Sequence, residues 1–338
     1  LLETDFAPTD DREQYFRRNG RFPLDEDVVI VDEASMVDVI LADSLLKAMK
    51  NGGRVIFVGD SDQLPSVGPG SFLGDVIRSG CFATVMLNEI FRQASESAIV
   101  CAAHDIIEGK TPELDRRDSD FFFIERTPDS AAGLICDLWQ RRLPAAYGDL
   151  ADGIQVICPT HNGKCGTVNL NSMLQDRLNP PKKGKGELKY KSTVFRLGDR
   201  VMQVRNNYEA EWEKENEIGS GIFNGDIGRI VSVSSRDRTV SVSFDGRTAE
   251  YHDADLDDLE LAYAITIHKS QGCEFPIVIL PITDYFDRLY TRNLLYTAVT
   301  RAQNIVIVTG SRDSLTAMIG NDRHAVRYTA LSYFLREK

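Results

Sequence analysis

A chain of 338 residues is longer than one ordinary hydrophobic core supports, so two domains with room for a small insertion are expected. With 42% hydrophobic and 27% charged residues its composition is that of a globular protein, which excludes a disordered tail or a fibrous repeat. The net charge of -12 weighs against nucleic acid without excluding it, because acids cluster locally (Asp5 to Glu13, Asp253 to Glu260) and a basic groove can coexist with an acidic exterior. No apolar run approaches the roughly 20 residues of a membrane span, and the opening LLETDFAPTDDREQ lacks the basic start and apolar middle of a signal peptide. A cytoplasmic location without membrane contact is the expectation. Six cysteines without a C-x-x-C pair point to reduced thiols rather than a zinc site or a disulfide scaffold.

In chain order, DVVIVDE and RVIFVGD are short apolar runs ending at acids. Between them DVILADSLLKAMKNGG carries Ile40, Leu41, Leu45 and Met49 at helical spacing before a glycine stop. That is a β-α-β unit. SFLGDVIRSG predicts a helix and ATVMLN another strand, so a parallel, doubly wound sheet is expected, with ligands at the carboxyl ends of its strands. The alternation resumes with a strand FFFIE, a helix DSAAGLICDLWQRRL, a strand IQVICPT and a helix from about Gly163 to Arg177, until the polar NPPKKGKGELKYK interrupts it. From about Val194 to Tyr251 short alternating strands split by Asn-Gly, Gly-Asp and Asp-Gly turns predict a small inserted antiparallel barrel. Within it VRNNYEAEWEKENE predicts a mobile, solvated acidic loop. Buried parallel strands return at AYAITIH, PIVILPI and NIVIVTG, with a helix RNLLYTAVTRA ahead of the last. The expected division is 1–87 for a first α/β domain, 88–192 with 260–338 for a second, and 193–259 for the barrel.

Asp32, Glu33 and Asp60 all stand at strand ends. Asp32 could hold a magnesium ion and Glu33 could activate water, because adjacent residues at a strand end diverge toward two points; read alone, the pair is weak evidence and better suits a helix start. Asp60 is followed by Gln63, and Pro65, Gly68, Pro69 and Gly70 then forbid an immediate helix, leaving a rigid open loop. Gln63 could sense a terminal phosphate, and a polar turn without a ligand is the alternative.

VVIVDEASMVD, VGDSDQLPSVGPG, LNEIFRQ, AYAITIHKSQGCEF and NLLYTAVTRA occur in the order of the later helicase motifs of superfamily 1. Together they cover nearly the whole chain, which resembles the motor region of RecD/TraA-type DNA helicases, the alpha-subunit family of exodeoxyribonuclease V. The resemblance implies two RecA-like parallel-sheet domains, the first shortened at its N-terminus, with an inserted SH3-like barrel whose signature turn IFNGDIGRI matches. It implies ATP and Mg2+ as cofactors, with Asp32 at the metal, and Asp32, Glu33, Gln63, Arg92 and Arg301 as the catalytic set. Arg92 and Arg301 match two arginines that reach the γ-phosphate, and a planar, permanently charged guanidinium suits that role. Asp60, Phe91 near the base, Gln271, Gly272 and Glu274 are placed toward the nucleotide. Thr160, His161 and Lys164, with Thr266, His268, Lys269 and Ser270, are placed on the sugar-phosphate backbone of single-stranded DNA. Duplex junctions and nuclease or helicase subunits are the further partners it suggests, with DNA repair and recombination as the setting and 5′ to 3′ travel.

No G-x-x-x-x-G-K-[ST] occurs in the 338 residues, and the chain opens on LLE, as though cut inside a TIHRLLE-like segment that precedes the DEAS segment in relatives. The expectation is therefore a piece of a larger helicase that lacks the phosphate loop and is inactive alone. Two other classes remain open on sequence: a non-catalytic nucleic-acid-binding or complex-assembly protein with relic motor motifs, and a two-metal nuclease built on Asp32, Glu33 and Asp60.

Overall fold

The computed structural model describes residues 1–2, 16–87, 97–215, 217–323, 327 and 329–337. It divides into two compact units, Leu1–Phe91 with Asp322–Lys338, and Arg92–Asn321.

In the first unit β1 (Val28–Val31) and β2 (Arg54–Phe57) pair in parallel, with α1 (Val39–Ala48) as the crossover between them. Asp38 caps α1, its carboxylate accepting from the Leu41 N–H at 2.7 Å. The buried face of α1 runs through Ala42, Leu45 and Ala48, small residues that let the helix lie close to the sheet. Ile40, which lies off that face, is 63% exposed, and Leu41, in the first turn, is 38% exposed although it lies on it. α2 (Phe72–Ser79) follows, Phe72 meeting Phe57 edge-on with ring centroids 4.9 Å apart. ATVMLN does not form the expected strand: Val85 is 84% exposed and Leu87 92%. A strand needs a neighbour, and among the described residues β2 is paired on one edge only, by β1.

Asp322–Lys338, expected in the second domain, groups with this first unit instead. The short helix Leu331–Arg336 lies along α2, where Arg336 donates from Nε to the Ser79 carbonyl at 3.3 Å and Leu331 covers the cluster of Val37, Ala42 and Phe72.

The second unit begins with α3 (Ala98–Ile107), β3 (Phe121–Glu125) and α4 (Pro128–Asp137), which runs through a π turn at Leu138–Arg142 into α5 (Leu143–Tyr147). β4 (Ile154–Cys158) and α6 (Thr167–Leu178) lead to the insertion. The insertion comprises β5 (Glu187–Tyr190), β6 (Thr193–Arg196), β7 (Arg200–Gln203), β8 (Asn207–Lys214), β9 (Glu217–Ile222), β10 (Ile227–Ser234), β11 (Thr239–Phe244), β12 (Arg247–His252) and β13 (Leu259–Leu261). β14 (Ala264–Thr266), β15 (Phe275–Ile282), α7 (Arg292–Val299), β16 (Ala302–Gly310) and α8 (Arg312–Gly320) complete the unit. Five parallel strands stand in the order β14-β4-β15-β16-β3. β15 is buried along nearly its whole length, as a central parallel strand read as a continuous apolar run should be.

The inserted antiparallel sheet has the order β13-β7-β10-β11-β12-β8-β9. Its β11–β12 hairpin turns on Asp245 and Gly246, both at positive φ (51° and 85°), the backbone that an Asp-Gly turn supplies. Strand β5 precedes the expected start of the barrel at 193, yet its Leu188 sits in the barrel core with Phe195 of β6, its hairpin partner. The acidic excursion is not a loop but the hairpin β8–β9. Alternation of Tyr208, Ala210 and Trp212 makes it a strand, and the Trp212 ring lies flush on Gly219, where a Cβ would come within 2.3 Å of it.

The fully buried Asp199 joins sheet and barrel. Its carboxylate accepts from Gln175 Nε2 and Asn179 Nδ2 (both 2.6 Å), Tyr263 OH (2.9 Å) and the Arg196 N–H (2.7 Å). Helix α6, the barrel hairpin and the lead into β14 are thereby held to one another.

Candidate functional site

In the first unit the ends of β1 and β2 converge. Asp32 is exposed and accepts the Glu33 N–H on its own carboxylate at 2.8 Å, which bends the chain so that Glu33 sits at φ 50°, an uncommon conformation for a residue with a side chain. The turn is fastened to the neighbouring strand end by Ala34 N–H to the Val58 carbonyl, 2.8 Å. Gly59 makes that approach possible, since a Cβ there would lie 2.9 Å from the Ala34 nitrogen. Beyond it Asp60 receives the Asp62 N–H at 2.9 Å and Gln63 Nε2 at a long 3.4 Å. Gln63 is 9% exposed, and its Oε1, like Ser35 Oγ in the facing turn, is buried without a hydrogen-bond partner among the described residues. Two buried polar atoms left open at adjacent strand ends mark a place where a polar ligand completes the structure.

Asp32, Glu33, Asp60 and Gln63 are thus brought together; Phe91 and Arg92 lie outside the described residues. Among the described residues no three His, Cys, Asp or Glu side chains converge on a metal position.

In the second unit Arg301 follows α7 and is only 4% exposed. It donates from Nε to the Thr297 carbonyl at 3.2 Å, from Nη1 to the Cys273 carbonyl at 3.3 Å and from Nη2 to Thr300 Oγ1 at 3.3 Å. The bond to Cys273 ties Arg301 to the Gln271–Glu274 loop, in which Gly272 takes φ 74° and Glu274 accepts from Gln303 Nε2 at 3.0 Å. Burial pushes the Cys273 thiol up, with the Arg301 charge opposing it. Arg301, Gln271, Gly272 and Glu274 form a second cluster.

The segments expected at DNA meet at the carboxyl ends of β4 and β14, which pair in parallel. Thr160 Oγ1 donates to the Asn162 carbonyl at 2.9 Å, and His161 Nδ1 lies 3.2 Å from Thr167 Oγ1. Gly166 is required here, because a Cβ would meet the Asn162 and His161 carbonyl oxygens at 2.4 and 2.5 Å. From the other strand, Ser270 is buried on the Ile267 carbonyl (2.8 Å), while Thr266 Oγ1 accepts the Lys269 N–H at 3.3 Å. One cavity is lined by His161, Thr167, Glu260, Thr266 and Lys269, so both segments face the same space. Burial, and secondarily the neighbouring His161, lower the His268 pKa below its usual 6.5, leaving that ring neutral at pH 7. Both lysines are held by acids: Lys164 pairs with Asp129, and Lys269 Nζ with Glu260 Oε2 at 2.7 Å. Ser270 serves the backbone turn and presents no free hydroxyl. Sequence reasoning missed Ser35, Thr167, Asp129 and Glu260; Glu260 was legible only as one acid in an acidic run, and its role depends on the strand β13 that carries it to Lys269.

A profile described as the ATP-dependent RecD-like DNA helicase SH3 domain matches residues 170–244, an AAA domain matches 11–123 and a UvrD-like helicase C-terminal domain matches 261–309. The ATP-dependent RecD2 DNA helicase of Deinococcus radiodurans is 34% identical over 94% of this chain, and the RecBCD enzyme subunit RecD of Mycobacterium tuberculosis 30% identical over 94%. This chain belongs to the RecD-type superfamily 1 helicases. It spans about half the length of the curated relatives it matches, 41% of the Deinococcus protein and 54% of the mycobacterial one. The fold of this RecD-type chain is also that of Pif1 helicases: a Bacteroides Pif1 in complex with ADP-AlF3 and ssDNA superposes with a TM-score of 0.53 at 20% identity, covering 100% of this chain and 79% of that one. A Pif1 structure of DNA unwinding at forked dsDNA gives 0.53 at 19% identity, covering 96% and 79%.

Proposed function

We propose that this chain is the motor region of an ATP- and magnesium-dependent helicase that moves on single-stranded DNA in the 5′ to 3′ direction. The observation that carries the reading is the paired strand-end site of the first unit, where Gln63 Oε1 and Ser35 Oγ are buried and unpartnered beside the exposed carboxylate of Asp32. That donor set fits a hydrated magnesium ion delivered with phosphates, which takes one or two carboxylates rather than an all-protein cage. Magnesium, when bound, neutralises charge on the phosphate oxygens. Asp32 would hold it, Glu33 would orient and deprotonate the attacking water, and Gln63 would read the terminal phosphate; Arg92 and Arg301 would supply positive charge as negative charge develops. Asp60 fixes the Gln63 side chain. Phe91, Gln271, Gly272 and Glu274 are assigned to the nucleotide by the family resemblance. Thr160, His161, Lys164, Thr266, His268 and Lys269 hold the sugar-phosphate backbone, with no sequence readout. Relatives named as RecBCD subunits support partner subunits as a further proposal.

Among the described residues one edge of β2 and the exposed 83–87 segment have no strand partner, which supports a further strand of the first domain, carrying the phosphate loop, in the longer protein. Without the backbone N–H groups and lysine of such a loop a triphosphate loses its main cradle, so this chain by itself is inactive. Addition of single-stranded DNA and Mg-ATP to the isolated chain tests this: no turnover is expected, while DNA-stimulated hydrolysis by the chain alone would overturn it. DNA-stimulated hydrolysis by the full-length protein is the matching positive result, and its absence would count against the motor.

A further inference from the structure

Within the loop that follows Gln63, Ser66 Oγ donates to the Gly68 carbonyl at a long 3.4 Å, and the Pro69 carbonyl accepts the Val39 N–H of α1 at 3.1 Å. Residues 64–70 contain Pro65 and Pro69, which lack N–H groups, and two glycines pressed against the start of α1. A Cβ at Gly68 would meet Asp38 Oδ2 at 1.9 Å, and one at Gly70, which takes φ 84°, would meet Val39 Cγ2 at 2.2 Å. One further side chain braces the carbonyls of this tight path. Arg327, from the segment near the C-terminus that belongs to the first unit, donates from Nη1 to the Gly70 carbonyl at 2.7 Å, to Ser66 Oγ at 3.2 Å and to the Gly68 carbonyl, and from Nη2 to the Ser66 carbonyl. No carboxylate is among these contacts. The guanidinium is spent on main-chain oxygens spread over five residues, a task for its fork of donors that a lysine ammonium, with a single donor centre, does not match. The helix Leu331–Arg336 anchors the same segment through Leu331 in the Val37, Ala42 and Phe72 cluster and Arg336 on the end of α2.

We propose that Arg327 is a positioning residue for the nucleotide-sensing loop: by bracing the carbonyls of Ser66, Gly68 and Gly70 it sets where Gln63 stands, so that turnover depends on a residue far along the chain that touches no substrate. This rests on the motor reading for the role of Gln63, and on geometry alone for the brace.

Hydrogen-deuterium exchange on the 338-residue chain separates the two. Arg327→Ala should raise exchange at the Val39 amide, which donates to the Pro69 carbonyl of the braced loop, by about tenfold or more with β15 and β16 unchanged as internal controls, and Arg327→Lys should restore only part of the protection. Unchanged exchange at Val39, or an equal rise throughout the first unit, would overturn the brace. In the full-length protein Arg327→Ala should lower kcat about tenfold with KM for ATP and affinity for single-stranded DNA within twofold, a split that simple loss of folded protein does not produce. An unchanged kcat would overturn the positioning role. Gln63→Ala provides the separate check: if it leaves turnover intact the motor reading of Gln63 fails, whereas the exchange result still decides the brace.

Discussion

Replacing Asp199 with alanine should unfasten the barrel from the motor sheet. Four donors lose their acceptor, but they do not lose equally. Gln175 Nε2 keeps the Val194 carbonyl at 2.8 Å, and Asn179 is near enough to solvent to recruit water. The hydroxyl of Tyr263, which is 4% exposed, and the Arg196 N–H are left stranded. A buried donor deprived of its partner costs about 1–3 kcal/mol, and removing a buried carboxylate recovers part of its own desolvation cost, so the net loss should be about 3 kcal/mol. That is roughly a hundredfold in the folded-to-unfolded ratio, or about 1 M in the urea midpoint for a domain of this size. Tryptophan fluorescence isolates the effect, because both tryptophans, Trp139 against Tyr263 and Trp212 in the barrel, lie in the second unit. Asp199→Asn, which keeps one acceptor oxygen, should lose about half as much. A midpoint shift below about 0.3 M for Asp199→Ala would show that the buried carboxylate is not the joint.

Gly59→Ala should drive its Cβ into the Ala34 nitrogen and displace the Asp32–Ser35 turn, costing the first unit about 1–3 kcal/mol; amide exchange at 33–36 should rise, and an unaltered pattern would show that the close approach is dispensable. Glu260→Gln frees Lys269 from its ion pair and should strengthen single-stranded DNA binding a few-fold at low salt, an effect that fades at high salt; titration by fluorescence anisotropy with no change would remove Lys269 from the phosphate contacts. His268 is pushed below its ordinary 6.5, so the unfolded chain takes up its proton more readily than the folded one, and its contribution to stability is present above pH 6.5 and is lost as pH falls below it. Phosphate favours the protonated ring, so DNA affinity should rise as pH falls from 7 toward 5.5, and His268→Gln should flatten that rise; an equally steep rise in the variant would place the proton elsewhere.

Most of the parallel architecture is legible because buried parallel strands such as FPIVILPI are continuous apolar runs that end at punctuating acids and glycines. The strand ends carrying Asp32 and Asp60 are legible for the same reason. What fails does so where partners distant in sequence decide. ATVMLN has strand composition, but no neighbour for it lies among the described residues. NYEAEWEK looks like a solvated loop by charge, although its alternate residues pack on Gly219 and beneath Arg247, whose guanidinium stands 5.9 Å from the Trp212 ring. Ile40 fits the apolar run of the helix, yet the sheet takes the face of Ala42, Leu45 and Ala48, from which Ile40 points away. Glu260 and Arg327 are invisible as functional candidates because each acts through a residue that only the fold brings near.

The claim on which everything else depends is that Arg301 serves the phosphate and not the DNA. It is buried, and it is tied to the Cys273 carbonyl of the loop assigned to the nucleotide. The measurement is steady-state ATP hydrolysis by full-length Arg301→Ala at saturating single-stranded DNA, with DNA affinity measured on the same preparation. The account predicts a kcat lower by about a thousandfold or more and a DNA dissociation constant within about threefold of the unaltered protein. Retained turnover, or turnover and DNA binding lost in parallel, would contradict it.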